Sequence, residues 1–244
     1  VRTAILTDIH ANLPALEAVL EHAERQGVDR WVCLGDTVGY GAQPNECSDI
    51  VRERVSFCLL GNHDAAVAGR MSYDWYHPPA RAALDWTRRT LDDDNLAWLS
   101  SLPYSVREGD VAFCHGSPLD PEAYDYIFQA SHAMELLEMR DGLAPVTFLG
   151  HAHLPRAFAL TDETVETLGG EGFELRPDRK YVFAVGSVGQ PRDGDVRSAY
   201  AVFDDEARTV TYHRVPYAFE TAAQRILRVP QLPPQFAQRL YEGT

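Results

Sequence analysis

Five short apolar runs in the chain end in side chains that bind metals or move protons, and this pattern restricts the fold more than any other feature. Leu6-Thr7-Asp8-Ile9-His10, Leu34-Gly35-Asp36, Leu60-Gly61-Asn62-His63-Asp64, Phe113-Cys114-His115-Gly116 and Leu149-Gly150-His151-Ala152-His153 each close a strand-like stretch. In an open α/β sheet, ligands sit beyond the carboxyl ends of the strands. Residues delivered there by several strands converge. One Asp-x-His carries little information, because surface loops contain many, and a lone His-x-His on a strand merely puts two imidazoles on one face. Five such groups in this order carry far more.

The intervening sequence supports alternating elements. Arg2 to Thr7 reads as a first strand, followed by a helix with Asn12 as N-cap and Pro14 in its first turn. Leu13, Leu16, Val19, Leu20 and Ala23 recur at helical spacing, and Gly27 ends the helix. Arg30 to Leu34 completes a β-α-β unit, which implies a right-handed crossover and a parallel pair. A helix near Asn45 to Arg54 then leads to an expected strand, Val55 to Leu60. Residues 65 to 101 read as a helical excursion beside the site, in which Tyr73, Tyr76 and His77 could face a substrate but are read in preference as packing. Tyr104 to Arg107 and Val111 to Cys114 form an expected hairpin around Gly109. Ser131 to Arg140 is helical in pattern and Val146 to Leu149 is a strand. The remainder is mainly β, at Arg156 to Leu160, Val165 to Leu168, Tyr181 to Val185, Ala199 to Phe203 and Thr209 to Val215, with a last short helix among Pro230, Pro233 and Pro234. Two packed sheets with helices outside follow, in one domain over residues 1–244.

Composition removes several functions. A formal charge of −14 opposes tight nucleic-acid binding, which needs a basic face to displace counterions. No apolar run approaches the ~18 residues of a membrane span, and no basic-then-apolar leader precedes the first strand, so a cytoplasmic protein is expected. Cys33, Cys58 and Cys114 sit inside apolar runs and read as small buried hydrophobes. Ser187 lies in Gly-Ser-Val-Gly, not Gly-x-Ser-x-Gly, and neither Gly-x-x-x-x-Gly-Lys-Ser/Thr nor His-Glu-x-x-His occurs.

The series Asp8-x-His10, Gly35-Asp36, Gly61-Asn62-His63-Asp64, His115 and Gly150-His151-x-His153 resembles the calcineurin-like metallophosphoesterase superfamily. The wording from Asp8 to Leu16 and from Gly186 to Arg192 is similar to its small bacterial and archaeal phosphodiesterase-like branch. The resemblance implies a four-layer α-β-β-α sandwich of two mixed sheets flanked by helices, with two divalent metals at the sheet edge. One would be held by Asp8, His10, Asp36 and His153 and the other by Asp36, Asn62, His115 and His151, with Asp36 bridging. Imidazole and carboxylate without thiolate suit Mn, Fe, Zn or Ni, with Mn favoured here. Two carboxylates and one hydroxide against two dications leave about one positive charge, which attracts a phosphate ester to an acidic protein.

The expected reaction is in-line attack on phosphorus by a metal-bound hydroxide, with a small phosphate ester as partner. The resemblance places His63 at the scissile phosphate, where it would protonate the leaving oxygen or stabilise charge; the competing reading is that it orders its loop. Asp64 is expected to fix that loop, and Asn12 to cap a helix in preference to supporting a ligand. Arg192 would grip a phosphate, or pair with Asp193 or Asp195 at the surface. Serine/threonine phosphatases carry Gly-Asp-x-Val-Asp-Arg-Gly, whereas Gly35-Asp36-Thr37-Val38 continues here with Gly39-Tyr40-Gly41. The Asp that orients the histidine in that branch is absent, which argues against protein phosphatase activity. A phosphodiesterase is therefore expected, with a phosphomonoesterase as the nearest alternative. A non-catalytic metal-binding scaffold on the same fold is the other, but the retromer subunit that resembles these enzymes lacks the histidine found here at His63.

Overall fold

In the first strand, alternation divides side chains between two cores. A computed structural model describes residues 1–244, and in it β1 (Arg2–Leu6) is buried on both faces. Ala4 and Leu6 join a core beneath helices, while Ile5 faces a second sheet. Burial on both faces explains why the run is almost continuously apolar.

The first sheet combines β1 with β2 (Arg30–Cys33), β8 (Gly172–Glu174), β10 (Ser198–Asp204) and β11 (Thr209–Val215), in the order β2-β1-β10-β11-β8. Only β1 and β2 are parallel. The second contains β3 (Ser105–Glu108), β4 (Val111–Cys114), β5 (Val146–Leu149), β6 (Pro155–Leu160), β7 (Val165–Leu168) and β9 (Lys180–Val185), in the order β3-β4-β5-β9-β6-β7. Its central strands β4, β5 and β9 are parallel. Both sheets are thus mixed, and each places the carboxyl ends of its parallel strands at the functional edge.

Between the sheets lie Ile5, Val32, Leu34, Phe113, Phe148, Phe183 and Phe203, with the Phe148 and Phe183 rings stacked at 5.5 Å. Truncating Phe148 to alanine would cost about 3–5 kcal/mol. The outer face of the first sheet is covered by α1 (Leu13–Arg25), α2 (Pro44–Arg54), α3 (Asn62–Ala68), α4 (Pro78–Thr90), α5 (Asp93–Ser101), α7 (Phe219–Leu227) and α8 (Gln235–Glu242). The second sheet is covered by α6 (Ala130–Glu135) and a 3₁₀ turn at Leu136–Met139. This is the expected four-layer arrangement. No helix is long and apolar enough to cross a membrane.

The segment Val55 to Leu60 departs from expectation. It lies beside β2, where Ser56 N donates to Trp31 O and Leu59 N to Cys33 O, but it forms only the single parallel bridge Cys33 to Cys58. At the sheet margin it has one neighbouring strand, and Leu60 N turns instead to Pro103 O. It still delivers Asn62 where a strand would. β8 and α7 are additions to the sequence reading. All four cysteines are buried and free.

Candidate metal centre and active site

The parallel pair β1 and β2 sends Asp8 and Asp36 out of the same edge, and their loops are laced together. Asp8 N donates to Gly35 O at 3.0 Å, His10 N to Asp36 O at 2.9 Å and Ala11 N to Thr37 O at 2.9 Å. The β9–β10 loop adds Val188 N to Thr7 O and Gly189 N to Asp8 O. This lacing holds an unusual backbone: Asp8, His10, Asp36, His151 and His153 all have φ between 51° and 65°. A left-handed non-glycine residue costs ~1–3 kcal/mol and persists only where its surroundings over-determine it. Gly61 and Gly150 permit the approach of the loops, since a Cβ would strike the Asp36 carboxylate at one and the Thr7 hydroxyl at the other.

The imidazoles are aimed by their Nδ1 atoms. His10 Nδ1–H donates to Val38 O (3.1 Å), His115 Nδ1–H to Leu34 O (2.8 Å) and His153 Nδ1–H to Gln190 O (2.5 Å). Such bonds fix the tautomer and turn the Nε2 lone pair to the opposite side. Nε2 of His10 and of His153 then face each other at 3.2 Å. Beside them is Asp8 Oδ1, 3.2 Å from His153 Nε2 and 3.8 Å from His10 Nε2. Asp8 Oδ2 is occupied by Thr7 Oγ1 and the His151 amide, whereas Oδ1 is buried with no hydrogen bond.

Asp36 joins two groups of donors. Its Oδ1 accepts from the His63 amide at 2.8 Å, and Oδ2 lies 3.7 Å from His10 Nε2 and 3.4 Å from His115 Nε2. Asn62 donates its amide N–H to the Tyr76 hydroxyl, which turns Oδ1 towards His115 Nε2 at 3.2 Å. Asp8, His10 and His153 can share one cation, and Asp36, His115 and His151 another.

Burial and mutual repulsion keep most of these rings neutral. Burial drives His10 well below its usual pKa, despite the nearby Asp36. It lowers His153, with Arg192 adding to the effect, and brings His151 to about 3 with help from His115. His115 is the exception: burial opposes its charge, but Asp36 and Asp8 outweigh burial and hold the pKa at about 9. Asp8 shows the converse: burial would raise its pKa, but the adjoining histidines, the imidazolium of His115 among them, keep it far below the usual carboxylate range. Neutral His10 and His153, with both Nδ1 protons committed to carbonyls, have no proton to share across 3.2 Å. Two lone pairs and a buried, unpartnered carboxylate oxygen are a donor set for a cation.

The remaining sequence candidates take distinct places. His63 is buried in the pocket wall, its ring 4.4 Å from that of Tyr40 and 4.9 Å from that of His10, and its Nδ1 has no partner. Burial lowers its pKa to about 4. Asp64 accepts from the amides of Thr37, Val38 and Gly61 at 3.1–3.2 Å, joining the two ligand loops. Asn12 both caps α1 through Ala15 N (3.2 Å) and donates to Gly189 O (2.8 Å), so it ties the helix to the β9–β10 loop. Arg192 is free of the two acids suggested for it. Asp193 pairs with Arg214 and Asp195 with Arg197, while Arg192 donates to Gln190 Oε1 at 2.9 Å and lines the pocket.

That pocket, about 570 Å³, opens above the donor cluster. It includes Tyr40, Tyr124, Tyr126, Trp75 and Arg239, none of which the sequence marked as part of a site, and Tyr76, which the sequence favours as packing over a place facing substrate. Tyr126 stacks on His151 with centroids 3.9 Å apart, and Trp75 meets Tyr76 edge-on at 4.3 Å. Of the two readings of Tyr76, its hydroxyl contact with Asn62 favours the place in the site; Tyr73 does pack, donating to Asp85 at 2.7 Å. His77 caps α4 and reaches the pocket rim.

The family model described as calcineurin-like phosphoesterase matches residues 1–185. An uncharacterized protein of Methanocaldococcus jannaschii is 36% identical over 98% of this chain and 97% of its own. A crystal structure of a metallophosphoesterase from Sphaerobacter thermophilus superposes with a TM-score of 0.85 at 38% identity, covering 100% of this chain and 99% of that one. A hypothetical protein from Pyrococcus horikoshii gives 0.78 at 19% identity over 100% and 98%, a likeness that concerns the fold alone.

Proposed function

The chain belongs to the calcineurin-like phosphoesterase family, and from that premise we propose that it is a phosphodiesterase working with two divalent metal ions. The observation that carries this reading is the opposed His10 and His153 Nε2 pair beside the unpartnered Asp8 Oδ1. Asp8, His10, Asp36 and His153 would hold one ion, and Asp36, Asn62, His115 and His151 the other. The Asp36 Oδ2 position, between His10 and His115, suits a shared ligand. Imidazole, carboxylate and amide oxygen accept manganese, iron, zinc or nickel, and manganese is the ion proposed for assay. When bound, such ions supply Lewis-acid charge and a nucleophilic water at neutral pH.

The chain's own residues then orient the ester and its leaving group. His63, neutral and turned into the pocket wall, donates a hydrogen bond to the leaving oxygen as charge develops there. Arg192 holds a phosphate oxygen of the substrate through a charge-assisted hydrogen bond. Asp64 and Asn12 keep the loops in register without touching substrate. A diester suits the pocket because its lining combines aromatic residues, Trp75, Tyr76 and Tyr126, with the cationic Arg192 and Arg239, so that each kind of surface can receive one substituent of the phosphorus.

The test is kcat/KM of the manganese-loaded protein for bis(p-nitrophenyl) phosphate and p-nitrophenyl phosphate side by side. Preference for the diester supports the proposal, and preference for the monoester replaces it with a phosphomonoesterase. Failure to hydrolyse either, with two ions bound per chain, would favour the scaffold.

A further inference from the structure

Several arginines of this acidic chain pair with carboxylates at its surface. Arg25 meets Glu21, Arg30 Glu108, Arg54 Glu24, Arg179 Glu166 and Arg197 Asp195. Arg192 and Arg239 form no salt bridge, and they are the two arginines that line the pocket above the donor cluster, in a chain whose acidic residues outnumber basic ones 36 to 22. Arg192 follows the β9–β10 loop, its amide donating to His153 O at 3.3 Å, so its side chain starts beside a proposed ligand. Its Nε is buried and has no hydrogen-bond partner. Arg239 comes from α8 near the end of the chain, with its guanidinium 5.5 Å from the Phe236 ring centroid. Tyr40 bridges the two elements: its ring packs at 4.6 Å on Phe236 and lies 5.8 Å from the Arg192 guanidinium. Arg239 has a lowered pKa, through burial first and the neighbouring Arg192 second.

Two uncompensated guanidinium groups sharing one wall repel each other and lose hydration, so the arrangement is costly without an anion. We propose that Arg192 and Arg239 form a subsite for a second, non-scissile phosphate, so that the preferred substrate is a phosphoester carrying a terminal phosphate on one arm. Charge favours phosphate over carboxylate, because a phosphate monoester brings about −1.5 to −2 at neutral pH against two positive groups. Arginine forks also match tetrahedral oxyanions by paired N–H donation. The aromatic residues of the lining, Trp75, Tyr76 and Tyr126, are left for the other arm. This inference rests on the phosphoesterase reading and specifies which phosphate Arg192 holds.

The test uses the full manganese-loaded chain and two chromogenic diesters that differ in one group: thymidine 5′-(p-nitrophenyl phosphate) with and without a 3′-phosphate. Released nitrophenol reports both. The phosphorylated ester is expected to show kcat/KM higher by on the order of tenfold, mainly through KM. Arg239→Gln should bring that ratio near one, and Arg239→Lys should retain part of it. Equal values in the wild type, an unchanged ratio in Arg239→Gln, or an equal loss on both esters would overturn the subsite. If neither ester is cleaved with two ions bound, the phosphoesterase reading fails separately. Calorimetric affinity for thymidine 3′,5′-bisphosphate then decides the subsite, with on the order of tenfold weaker binding to Arg239→Gln expected and equal binding contradicting it.

Discussion

Gly39 lies directly against the Nδ1 edge of His63: a Cβ at Gly39 would stand 2.5 Å from that nitrogen. The position is the one at which serine/threonine phosphatases carry the Asp that orients their histidine. Here no carboxylate reaches Nδ1, which is buried without a partner, and the ring is held by packing on Tyr40 and His10. His63 therefore has no carboxylate to raise its pKa through Nδ1, and burial keeps the ring neutral.

His63→Ala should lower kcat by on the order of 10²-fold or more, the usual contribution of a positioned acid–base group. Metal content should stay at the wild-type value, because the proposed ligand set is complete without His63. Steady-state kinetics and elemental analysis on the same preparation check this, and a fully active variant would assign His63 to loop ordering.

Gly39→Ala should both destabilise the protein and misplace the ring. The residue has φ of +92°, a region that L side chains rarely adopt, and the added methyl meets His63. A stability loss of about 1–3 kcal/mol is expected from the backbone alone. Displacement of His63 should add a fall in kcat of about tenfold or more with both metals retained. Urea unfolding and kinetics together separate the two effects.

Metal removal should lower the melting temperature. The Asp8 Oδ1 and the facing His10 and His153 nitrogens gain nothing from the protein in return for their burial, so cations that bind only the folded chain stabilise it. At about 100 times its Kd, each ion contributes ~2.7 kcal/mol, equivalent to about 5–10 °C for a chain of this size. Differential scanning calorimetry before and after chelation measures it. An unchanged Tm would show that the cluster needs no metal.

Metal uptake should release a proton near neutral pH. The His115 pKa of about 9 means that the metal-free protein holds an imidazolium there, and ligation requires the neutral ring. Apparent affinity should therefore rise about tenfold per pH unit and level off above about pH 9. The same raised pKa stabilises the metal-free fold fully below about 6.5, and that contribution is lost as pH rises through about 9. Calorimetric titration of manganese in buffers of different ionisation enthalpy counts the protons. No release at pH 7.5 would contradict a ligand role for His115.

The proposed ligands were legible because they lie at the ends of apolar runs, several at a glycine: Asp36 after Gly35, Asn62 after Gly61, His151 after Gly150. The pocket walls were not. Tyr126 lies in the loop between β4 and α6 with no periodicity around it, and its role depends on stacking with His151, 25 positions away. Arg239 is on a helix whose buried face, Phe236, Ala237 and Leu240, explains its sequence completely, so nothing local signals that its charged side reaches the site. α7 escaped because two of its three buried residues are Ala222 and Ala223, a weak apolar stripe. β8 is three residues long and depends on pairing with β11. Val55 to Leu60 has the composition of a strand but only one strand beside it.

The central claim is most directly tested by titrating metal-free protein with manganese while following hydrolysis of bis(p-nitrophenyl) phosphate. The account predicts no activity without metal and a rate that reaches its plateau at two equivalents per chain. A plateau at one equivalent, or two ions bound with no hydrolysis, would contradict it.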